Sequence, residues 1–362
     1  MDCASGTPLW QGRAAQMSRS IRFGAGALAD LAEVAAEVGI ERPLLVTTRR
    51  GARVAAGLPV VALYDGVRPH VPVVTVGEAA ALARELGADG LVGLGGGSAI
   101  DTCKAVAVEL LAGEDVVAQS HKALPIVAVP TTYAGAEWTP YFGVLLAPGV
   151  KRGGIDERAR PVAAIYDPEL TLGLPLEETV GTAMNALAHC AEAYYHPATN
   201  ARAQRDADSG AAAIGRALPL VVERPGEIGG RTRLLEGAMR AALALDASGL
   251  CLAHAMAQGL GGRYELPQGA MNALCLPAAL RFNESAVPEA VARLAGALGV
   301  DDAALRVEEL ARLGGFERLR DFGVPEGELD EVAQTIAQRP GARANPRPAT
   351  GPDVAELLRS IW

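Results

Sequence analysis

An amide and an imidazole on one helical face are the first residues in this chain whose types and spacing suggest chemistry. Residues 181–196, GTAMNALAHCAEAYYH, are rich in Ala and contain no Pro, which favours a helix. Asn185 and His189 lie four residues apart in this stretch, so they share one face. Such a pair is either part of a core in which both groups have hydrogen-bond partners, or the floor of a site. The stretch alone leaves both readings open.

The composition narrows the class of protein. The 362 residues are enough for two domains with separate cores, and 50% of them are hydrophobic but only 4% aromatic, so Ala, Val, Leu and Ile must build those cores. The formal net charge of −9 argues against nucleic acid as a partner, because phosphate binding needs a basic surface. The cysteines are Cys3, Cys103, Cys190, Cys251 and Cys275, with no CxxC pair among them. This spacing, together with the lack of a secretory signal pattern and of any long apolar run, predicts a cytoplasmic protein without a membrane segment.

The first part of the chain alternates β-branched runs with Ala-rich helical segments, which is typical of βαβ units and a parallel sheet. The predicted strands are 43–48, 60–64, 90–94 and 124–129, and the predicted helices between them are 26–38 and 76–86. Two more strand-like runs, 141–146 and 161–166, flank a turn-rich segment that contains Lys151.

After residue 166 the pattern is almost entirely helical. The predicted helices are 176–196, 203–218, 230–246, 248–260, 286–298, 302–313, 327–338 and 352–361, and the Pro- and Arg-rich tract 339–352 is predicted to be an exposed loop. We therefore expect an α/β dinucleotide-binding domain over 1–166 and an all-α substrate and catalytic domain over 167–362. A ligand is expected in the cleft between them.

A glycine-rich turn gives the strongest local signal. An apolar strand runs into Gly95-Gly96-Gly97-Ser98 and then directly into a helix. Glycines let the backbone approach a pyrophosphate closely, and the helix N-terminus offers free N–H groups. The alternative is an ordinary tight turn between a strand and a helix. The pattern differs from the GxGxxG fingerprint and is not assigned to it.

Three motifs in order carry a resemblance to a known family. GGGSAIDTCKA, PTTYAGAEWTP at 130–140 and YDPELTLGLP at 166–175 follow one another as in the iron-containing alcohol dehydrogenase superfamily, whose fold is dehydroquinate synthase-like. The PTTYAGAE form and the sequence MNALAH are most similar to the maleylacetate reductase branch of that superfamily.

The resemblance implies a set of residues that bind NADH or NADPH. Gly95, Gly96, Gly97 and Ser98 would cradle the pyrophosphate with Asp101 supporting the turn, Thr131 and Thr132 would line the adenine and ribose side, and Lys151 would contact the nicotinamide ribose. The family often has a carboxylate after an early strand to bind the adenosine ribose, whereas this chain has Thr48, Arg49 and Arg50 there. These arginines either pair with the 2′-phosphate of NADPH or simply face solvent.

The resemblance also implies that metal-ligand positions are altered. Metal-dependent members hold a divalent ion with an Asp, a His four residues on, a distant His, and a further His fourteen residues beyond that. The matching positions here are Asn185, His189, His254 and Gln268. Amide oxygens are uncharged and poor ligands for iron or zinc, so we expect no functional metal. Gln258 is a further departure, since the family usually has a histidine near the nicotinamide at that position.

Without a Lewis acid, reduction of an activated C=C bond is the least demanding chemistry, because neutral donors can stabilise an enolate. His189 and His254 would supply such donors and the proton, while Asn185 and Gln268 would orient the substrate or hold a water. Further candidates for substrate binding are Tyr133, Gln258 and Arg263, the last as a carboxylate clamp or merely a surface arginine.

These observations predict a metal-independent NAD(P)H-dependent reductase of the maleylacetate reductase type, which acts on a conjugated C=C or a carbonyl of a small acid. By the resemblance, it would be a homodimer. Two alternatives stay open at this point. One is a metal-dependent alcohol dehydrogenase with atypical ligands, and the other is a family member with a non-redox role as an isomerase, a cyclase or a binding protein.

Overall fold

The computed structural model describes residues 10–13, 19–112, 123–147 and 150–362, and these form two compact units. Unit 1 contains the described residues up to Thr132 together with Ala136–Leu172, and unit 2 contains Tyr133–Gly135 and Gly173–Trp362. The division thus falls after Leu172, a few residues beyond the end predicted at 166, and three residues of the PTTYAGAE motif belong to the helical unit. Cys3 and most of the segment without a secretory pattern lie outside the described residues.

Unit 1 is built on a mainly parallel sheet. Its strands are β1 (Trp10–Arg13), β2 (Ser20–Phe23), β3 (Pro43–Thr47), β4 (Ala62–Tyr64), β5 (Gly90–Gly95), β6 (Ile126–Pro130) and β9 (Ala163–Tyr166), and β7 (Tyr141–Ala147) with β8 (Val150–Ile155) forms a separate ribbon. The order in the sheet is β1-β2-β9-β6-β5-β3-β4, and among the described strands of this sheet only β1 is antiparallel to its neighbour. The carboxyl ends of β3, β5 and β6 therefore meet at one edge, where parallel sheets bind their ligands.

Helices cover both faces of this sheet, because successive strand residues point to opposite sides. Leu44 and Leu91 pack with the helices α3 (Val73–Leu86) and α4 (Gly97–Ala112) on one face. Leu45 and Val92 pack with α1 (Leu31–Glu37) on the other face, and the short α2 (Arg49–Ala52) follows β3. The predicted strands and helices of this unit are all present, with ends shifted by a few residues.

One prediction in unit 1 is wrong. The segment between the last two predicted strands is not only turns, because Val150–Ile155 forms β8 and pairs with β7. Two glycines, Gly153 and Gly154, and the exposure of most of this strand hid its pattern in the sequence.

The described residues of unit 2 form helices and no strand. They are α5 (Leu176–Tyr195), α6 (Ala201–Glu223), α7 (Ile228–Asp246), α8 (Leu252–Tyr264), α9 (Gln268–Glu284), α10 (Pro288–Leu298), α11 (Ala303–Arg312), α12 (Leu329–Ala337), α13 (Pro340–Ala344) and α14 (Gly351–Ser360). Across the described part of the chain, no helix has the length and apolar character that crossing a membrane requires.

Two expectations about unit 2 are corrected. Helix α9 was not predicted, because it contains Pro277 and is buried on almost all sides, so it shows no amphipathic period. The tract 339–352 is not simply an exposed loop, because it begins with α13 and buries Asn345. The side-chain amides of Asn345 and Asn283 exchange two hydrogen bonds of 3.0 and 2.6 Å.

Helices α5 and α9 touch backbone to backbone where two glycines meet. A Cβ atom built on Gly269 would lie 2.4 Å from the carbonyl carbon of Gly181 and 2.5 Å from its oxygen, which no side chain tolerates. One turn further along each helix, Asn185 and Asn272 come within hydrogen-bonding distance, 2.6 Å apart. The absence of a side chain at Gly269 thus permits the close approach of the helices that carry these amides, whereas a Cβ on Gly181 would meet only ordinary contacts of 3.4 Å or more.

The variant Gly269→Ala tests this contact. We expect its free energy of unfolding to fall by about 2 kcal/mol or more, because the added methyl group has to push two backbones apart. Urea unfolding monitored by circular dichroism measures the loss. The matched control is Gly296→Ala in α10, where an added Cβ meets no atom within 4 Å and should raise the stability by about 0.5–1 kcal/mol through helix propensity. Equal stability of the two variants would contradict the assignment.

Candidate active site

The glycine-rich turn of unit 1 has the geometry of a phosphate cradle. Gly95 ends β5 with φ of 153°, and α4 begins at Gly97, so the free N–H groups of the helix start directly after the strand. A Cβ atom on Gly96 would lie 3.0 Å from Cγ2 of Thr132, and the Thr131 N–H donates to the carbonyl of Gly95 at 2.9 Å. The turn and the Thr131–Thr132 segment are therefore adjacent, as a pyrophosphate site requires, and the residues present fit a dinucleotide.

Asp101 has a partner other than the turn it was expected to support. Its carboxylate accepts from Nζ of the buried Lys104 at 3.1 Å, and Lys104 also donates to the carbonyl of Tyr141 at 2.8 Å. Burial lowers the pKa of Lys104, and the contact with Asp101 opposes that shift. The pair connects α4 to the start of β7, and this contact gives Asp101 a structural role.

A second pocket in unit 1 lies at the carboxyl ends of β3 and β4. It is open, has a volume of about 510 Å³ and is lined by Thr48, Arg49, Arg50, Asp65, Gly66, Val67 and Arg68. Thr48 caps α2 by accepting the N–H of Gly51 at 3.2 Å, and Arg49 and Arg50 are exposed. Asp65 corrects the expectation that no carboxylate is present. It follows β4 rather than β3, and the bridge between Thr48 and Gly66 brings the two strand ends together.

Lys151 lies on a strand and not in a turn. It is exposed on β8, opposite Leu145 of β7. Its Cε lies 2.7 Å from the position that a Cβ of Gly143 would occupy. The glycine in β7 thus leaves room for the lysine side chain to cross the ribbon.

Two stacked histidines form the centre of the site in unit 2. The rings of His189 on α5 and His254 on α8 have centroids 4.7 Å apart and are tilted by only 7°. Both side chains are buried, with 4% and 3% of their surface exposed. Nδ1 of His189 and Nε2 of His254 have no hydrogen-bond partner among the described residues. A buried polar atom without a partner lowers the stability of the folded protein, and a hydrogen bond to a bound ligand would remove that cost. These two nitrogens are therefore candidates to bind a ligand.

A chain of amides orients His189. The side chain of Asn272 donates to Oδ1 of Asn185 at 2.6 Å, and Nδ2 of Asn185 donates to the carbonyl of Ala134 at 3.0 Å. Because a carbonyl can only accept, this contact fixes which end of the Asn185 amide is the nitrogen. That nitrogen also faces Nε2 of His189 at 3.4 Å. His189 therefore accepts at Nε2 and carries its hydrogen on Nδ1.

Burial decides the charge of His189. Burial first, and then the neighbouring ring of His254, hold the pKa of His189 well below its usual range, so the ring is neutral at neutral pH. Nδ1 lies 3.5 Å from the position that a Cβ on Gly135 would occupy, and Gly135 has φ of 82°. A glycine there both permits the backbone turn and leaves space beside the N–H group. His189 is thus a neutral hydrogen-bond donor.

The other histidine is held by a carboxylate. Glu192, one turn beyond His189 on α5, is fully buried, and its Oε2 lies 2.7 Å from Nδ1 of His254. The same carboxylate accepts the backbone N–H of Cys251 at 2.7 Å and that of His254 at 3.1 Å. His254 therefore has one nitrogen bound to protein and one available to a ligand.

This donor set does not fit iron or zinc. Asn185 points its nitrogen, not its oxygen, at His189, and the oxygen is occupied by Asn272. The two imidazoles are stacked face to face instead of converging on a point. Among the described residues, no group of three or more His, Cys, Asp or Glu side chains could hold a metal ion. Tetrahedral zinc and octahedral iron need converging anionic or imidazole ligands, and these are not assembled here.

The structure places the remaining predicted residues away from this network. Tyr133 is fully buried in unit 2, where its hydroxyl accepts from Arg231 at 3.3 Å, so it is a core residue and not a substrate ligand. Arg263 is half exposed and forms ion pairs with Glu328 and Glu331 at 3.0 and 3.1 Å, which corrects its prediction as a carboxylate clamp. Its acidic partners already neutralise it.

The two glutamines are both partly exposed. Gln258 lies one turn beyond His254 on α8. Gln268 begins α9, and its Oε1 lies 3.4 Å from the Cβ position of Gly261. Both side chains keep surface that a ligand can contact.

Sequence reasoning missed three residues. Glu192 lies within the apolar stretch 181–196, and a carboxylate one turn after His189 was the available signal. Asn272 was missed together with the helix that carries it. Asp65 was missed because it follows β4, and only the pairing of β3 with β4 brings it next to Thr48.

Comparisons with known proteins agree with this architecture. The model of the family "Iron-containing alcohol dehydrogenase" matches residues 18–168, and that of "Fe-containing alcohol dehydrogenase family, C-terminal" matches residues 179–362. A maleylacetate reductase from Pseudomonas knackmussii is 38% identical over 352 residues, which cover 95% of this chain and 96% of that protein.

Solved structures are similar over nearly the whole chain. A maleylacetate reductase from Agrobacterium tumefaciens is 31% identical with a TM-score of 0.84, and covers 99% of this chain and 98% of its own. An iron-containing alcohol dehydrogenase from Corynebacterium glutamicum is 32% identical with a TM-score of 0.85, and covers 98% and 97%. With a parallel α/β unit, a helical unit and matches to both family models, the chain is an oxidoreductase that belongs to the iron-containing alcohol dehydrogenase family.

Proposed function

We propose that this oxidoreductase is a metal-independent NAD(P)H-dependent reductase of the maleylacetate reductase type. Its substrate would be a small acid with a C=C bond conjugated to a ketone, and with maleylacetate the product would be 3-oxoadipate. The observation that carries the proposal is the pair of stacked histidines with one unpartnered nitrogen each, in a site whose amide groups are turned away from metal coordination.

The residues of unit 2 match the needs of such a reduction. When bound, the nicotinamide cofactor supplies the hydride to the carbon β to the ketone, and negative charge then develops on the ketone oxygen. The N–H of neutral His189 is a donor suited to that oxygen, because it needs no reorganisation during the reaction. His254 is suited to pass a proton from Nε2 to the α-carbon, which completes the saturated product; Nε2 takes up that proton from water before the step, and the hydrogen on Nδ1 stays in place. Conjugation in the substrate takes the place of a Lewis acid.

The relatives support the substrate class. Several curated proteins that are 36–38% identical to this chain over most of its length are named maleylacetate reductase. The amide at position 185 and its hydrogen bond to Asn272 support metal independence within that class. The family models are in line with the alternative of a metal-dependent alcohol dehydrogenase, but the oxygen of Asn185 is bound to Asn272 and is not offered to an ion.

A direct assay of nicotinamide oxidation tests the proposal. Purified protein, freed of metal with a chelator and checked by elemental analysis, should oxidise NADH or NADPH when maleylacetate is added and should form 3-oxoadipate. The loss of absorbance at the nicotinamide band measures the rate. As a control, a metal-dependent alcohol dehydrogenase treated in the same way should lose its activity. If turnover by this chain disappears with the chelator and returns with iron or zinc, metal independence is wrong.

We further propose that the pocket at Thr48 accepts the 2′-phosphate of NADPH. Arg49 and Arg68 line it without an ion pair to any residue in the described part of the chain, and Asp65 is its only lining carboxylate. A guanidinium pairs well with a phosphate dianion, while Asp65 remains available to a ribose hydroxyl. The excess of positive charge favours NADPH over NADH.

Nucleotide titrations check this preference. The variant Arg49→Ala should raise the Kd of NADPH about tenfold and change that of NADH less than about twofold, since one charge-assisted hydrogen bond is worth roughly 1.5 kcal/mol. Arg53→Ala is the control, because Arg53 is exposed at the end of the same helix and does not line the pocket. Equal weakening of both nucleotides by Arg49→Ala would show that no 2′-phosphate is recognised.

A second pair of variants tests the amide chain. Asn272→Ala should lower kcat about tenfold, because the Asn185 amide loses the donor that orients it towards His189. Asn283→Ala is the matched control, since Asn283 is equally buried on the same helix but pairs with Asn345. It should lower the free energy of unfolding by about 1–3 kcal/mol and leave kcat unchanged. Comparable losses of kcat in both variants would mean that Asn272 acts only through stability.

A further inference from the structure

We infer that Glu192 is a positioning residue, which holds the imidazole of His254 with its hydrogen on Nδ1 and leaves Nε2 as the one nitrogen that can exchange a proton with substrate. The inference rests on the proposed function for its catalytic meaning. Glu192 is not among the residues that the sequence pointed to, and its role follows from three hydrogen bonds that meet at one buried carboxylate.

The first two of these bonds fix the start of helix α8. Cys251 is the N-terminal capping residue of α8, and its own side chain accepts no capping hydrogen bond. Glu192 instead accepts the N–H of Cys251 and that of His254, three residues further on. These are the two N–H groups that a capping box satisfies from within a helix. A carboxylate from α5 therefore sets where α8 begins and where the backbone of His254 lies.

The third bond fixes the side chain. Both oxygens of Glu192 accept backbone N–H groups, and Oε2 also lies 2.7 Å from Nδ1 of His254, so Glu192 is the acceptor in this contact and Nδ1 carries the hydrogen. Backbone and ring of the same histidine are thus bound to one fully buried group. Nε2 is buried and has no partner among the described residues. A carboxylate that orients a histidine in this way selects its tautomer, which is the condition for proton transfer from a defined nitrogen.

The two histidines then have different tasks. His189 accepts from Asn185 at Nε2, so its available group is the N–H at Nδ1. His254 is bound at Nδ1, so its available group is Nε2. One ring offers a fixed hydrogen-bond donor and the other an exchangeable proton site. Two separate networks, from Asn272 through Asn185 and from Glu192, assign these tasks before any substrate arrives.

Nuclear magnetic resonance of the wild-type protein tests the placement of the hydrogen without substrate. In protein with ¹⁵N-labelled histidine, we expect the His254 ring to show a hydrogen on Nδ1. Its signals are those that vanish in His254→Gln. A bare Nδ1 with the hydrogen on Nε2 would overturn the inference. This measurement does not depend on the proposed function.

The variant Glu192→Gln tests the consequence for turnover. An amide has one oxygen where the carboxylate has two, so it either leaves a backbone N–H of α8 without an acceptor or presents its NH₂ group to Nδ1. We expect kcat to fall about 100-fold while KM changes less than about threefold, and the Nδ1 hydrogen signal to weaken. Turnover that matches the wild type would overturn the inference.

A control variant separates positioning from helix capping. Asp302 caps α11 by accepting the N–H of Leu305 at 2.9 Å, far along the chain from either histidine. Asp302→Ala should lower the melting temperature by a few degrees and leave kcat unchanged. If Glu192→Gln loses kcat only in proportion to its loss of folded protein, Glu192 is a structural cap and the inference fails. Failure of the proposed function would differ, because the wild-type chain would then show no turnover.

Discussion

The contact between the backbones of Gly181 and Gly269 is the constraint on which the site in unit 2 depends. Helices α5 and α9 approach so closely that a Cβ on Gly269 would lie 2.4 Å from the carbonyl carbon of Gly181, so only glycine fits at position 269. This separation puts Asn272 against Asn185, and the hydrogen bond between them turns the amide of Asn185 towards His189. One residue without a side chain, Gly269, thus permits the contact that orients side chains one turn away.

In the proposed function, the direction of hydrogen bonds organises this site as the charge of a metal ion would organise a metal-dependent one. A metal ion attracts its ligands from several angles and organises them by its own charge, whereas an amide or a neutral imidazole must be aimed by its neighbours. Ala134 and Asn272 aim the amide of Asn185, and Glu192 aims His254. In the proposed function, the groups that contact substrate therefore need hydrogen-bond partners behind them. Asn272 and Glu192 are two such partners, and both are fully buried.

The structure of unit 1 agrees more closely with the prediction from its sequence than the site in unit 2 does. Its strands alternate between two apolar faces, and the glycine-rich turn lies at the end of the strand that the apolar run predicts. The exception is the pocket at Thr48, which Asp65 and Arg49 both line although they are sixteen positions apart in the sequence. A carboxylate at this place depends on the pairing of β3 with β4, which periodicity does not reveal.

Hydrophobic period and spacing are local properties, so the order of the two units, most of their helices and strands, and the pair Asn185 and His189 can be predicted from the sequence. The motifs also indicated the family. The tertiary structure adds Glu192 and Asn272 to the site. It also shows that Tyr133 is a core residue and that Arg263 belongs to a surface ion pair. These features escape prediction because the direction of a hydrogen bond depends on which helices meet and how closely. The helix that carries Asn272 is also buried on almost all sides, so its sequence shows no amphipathic period.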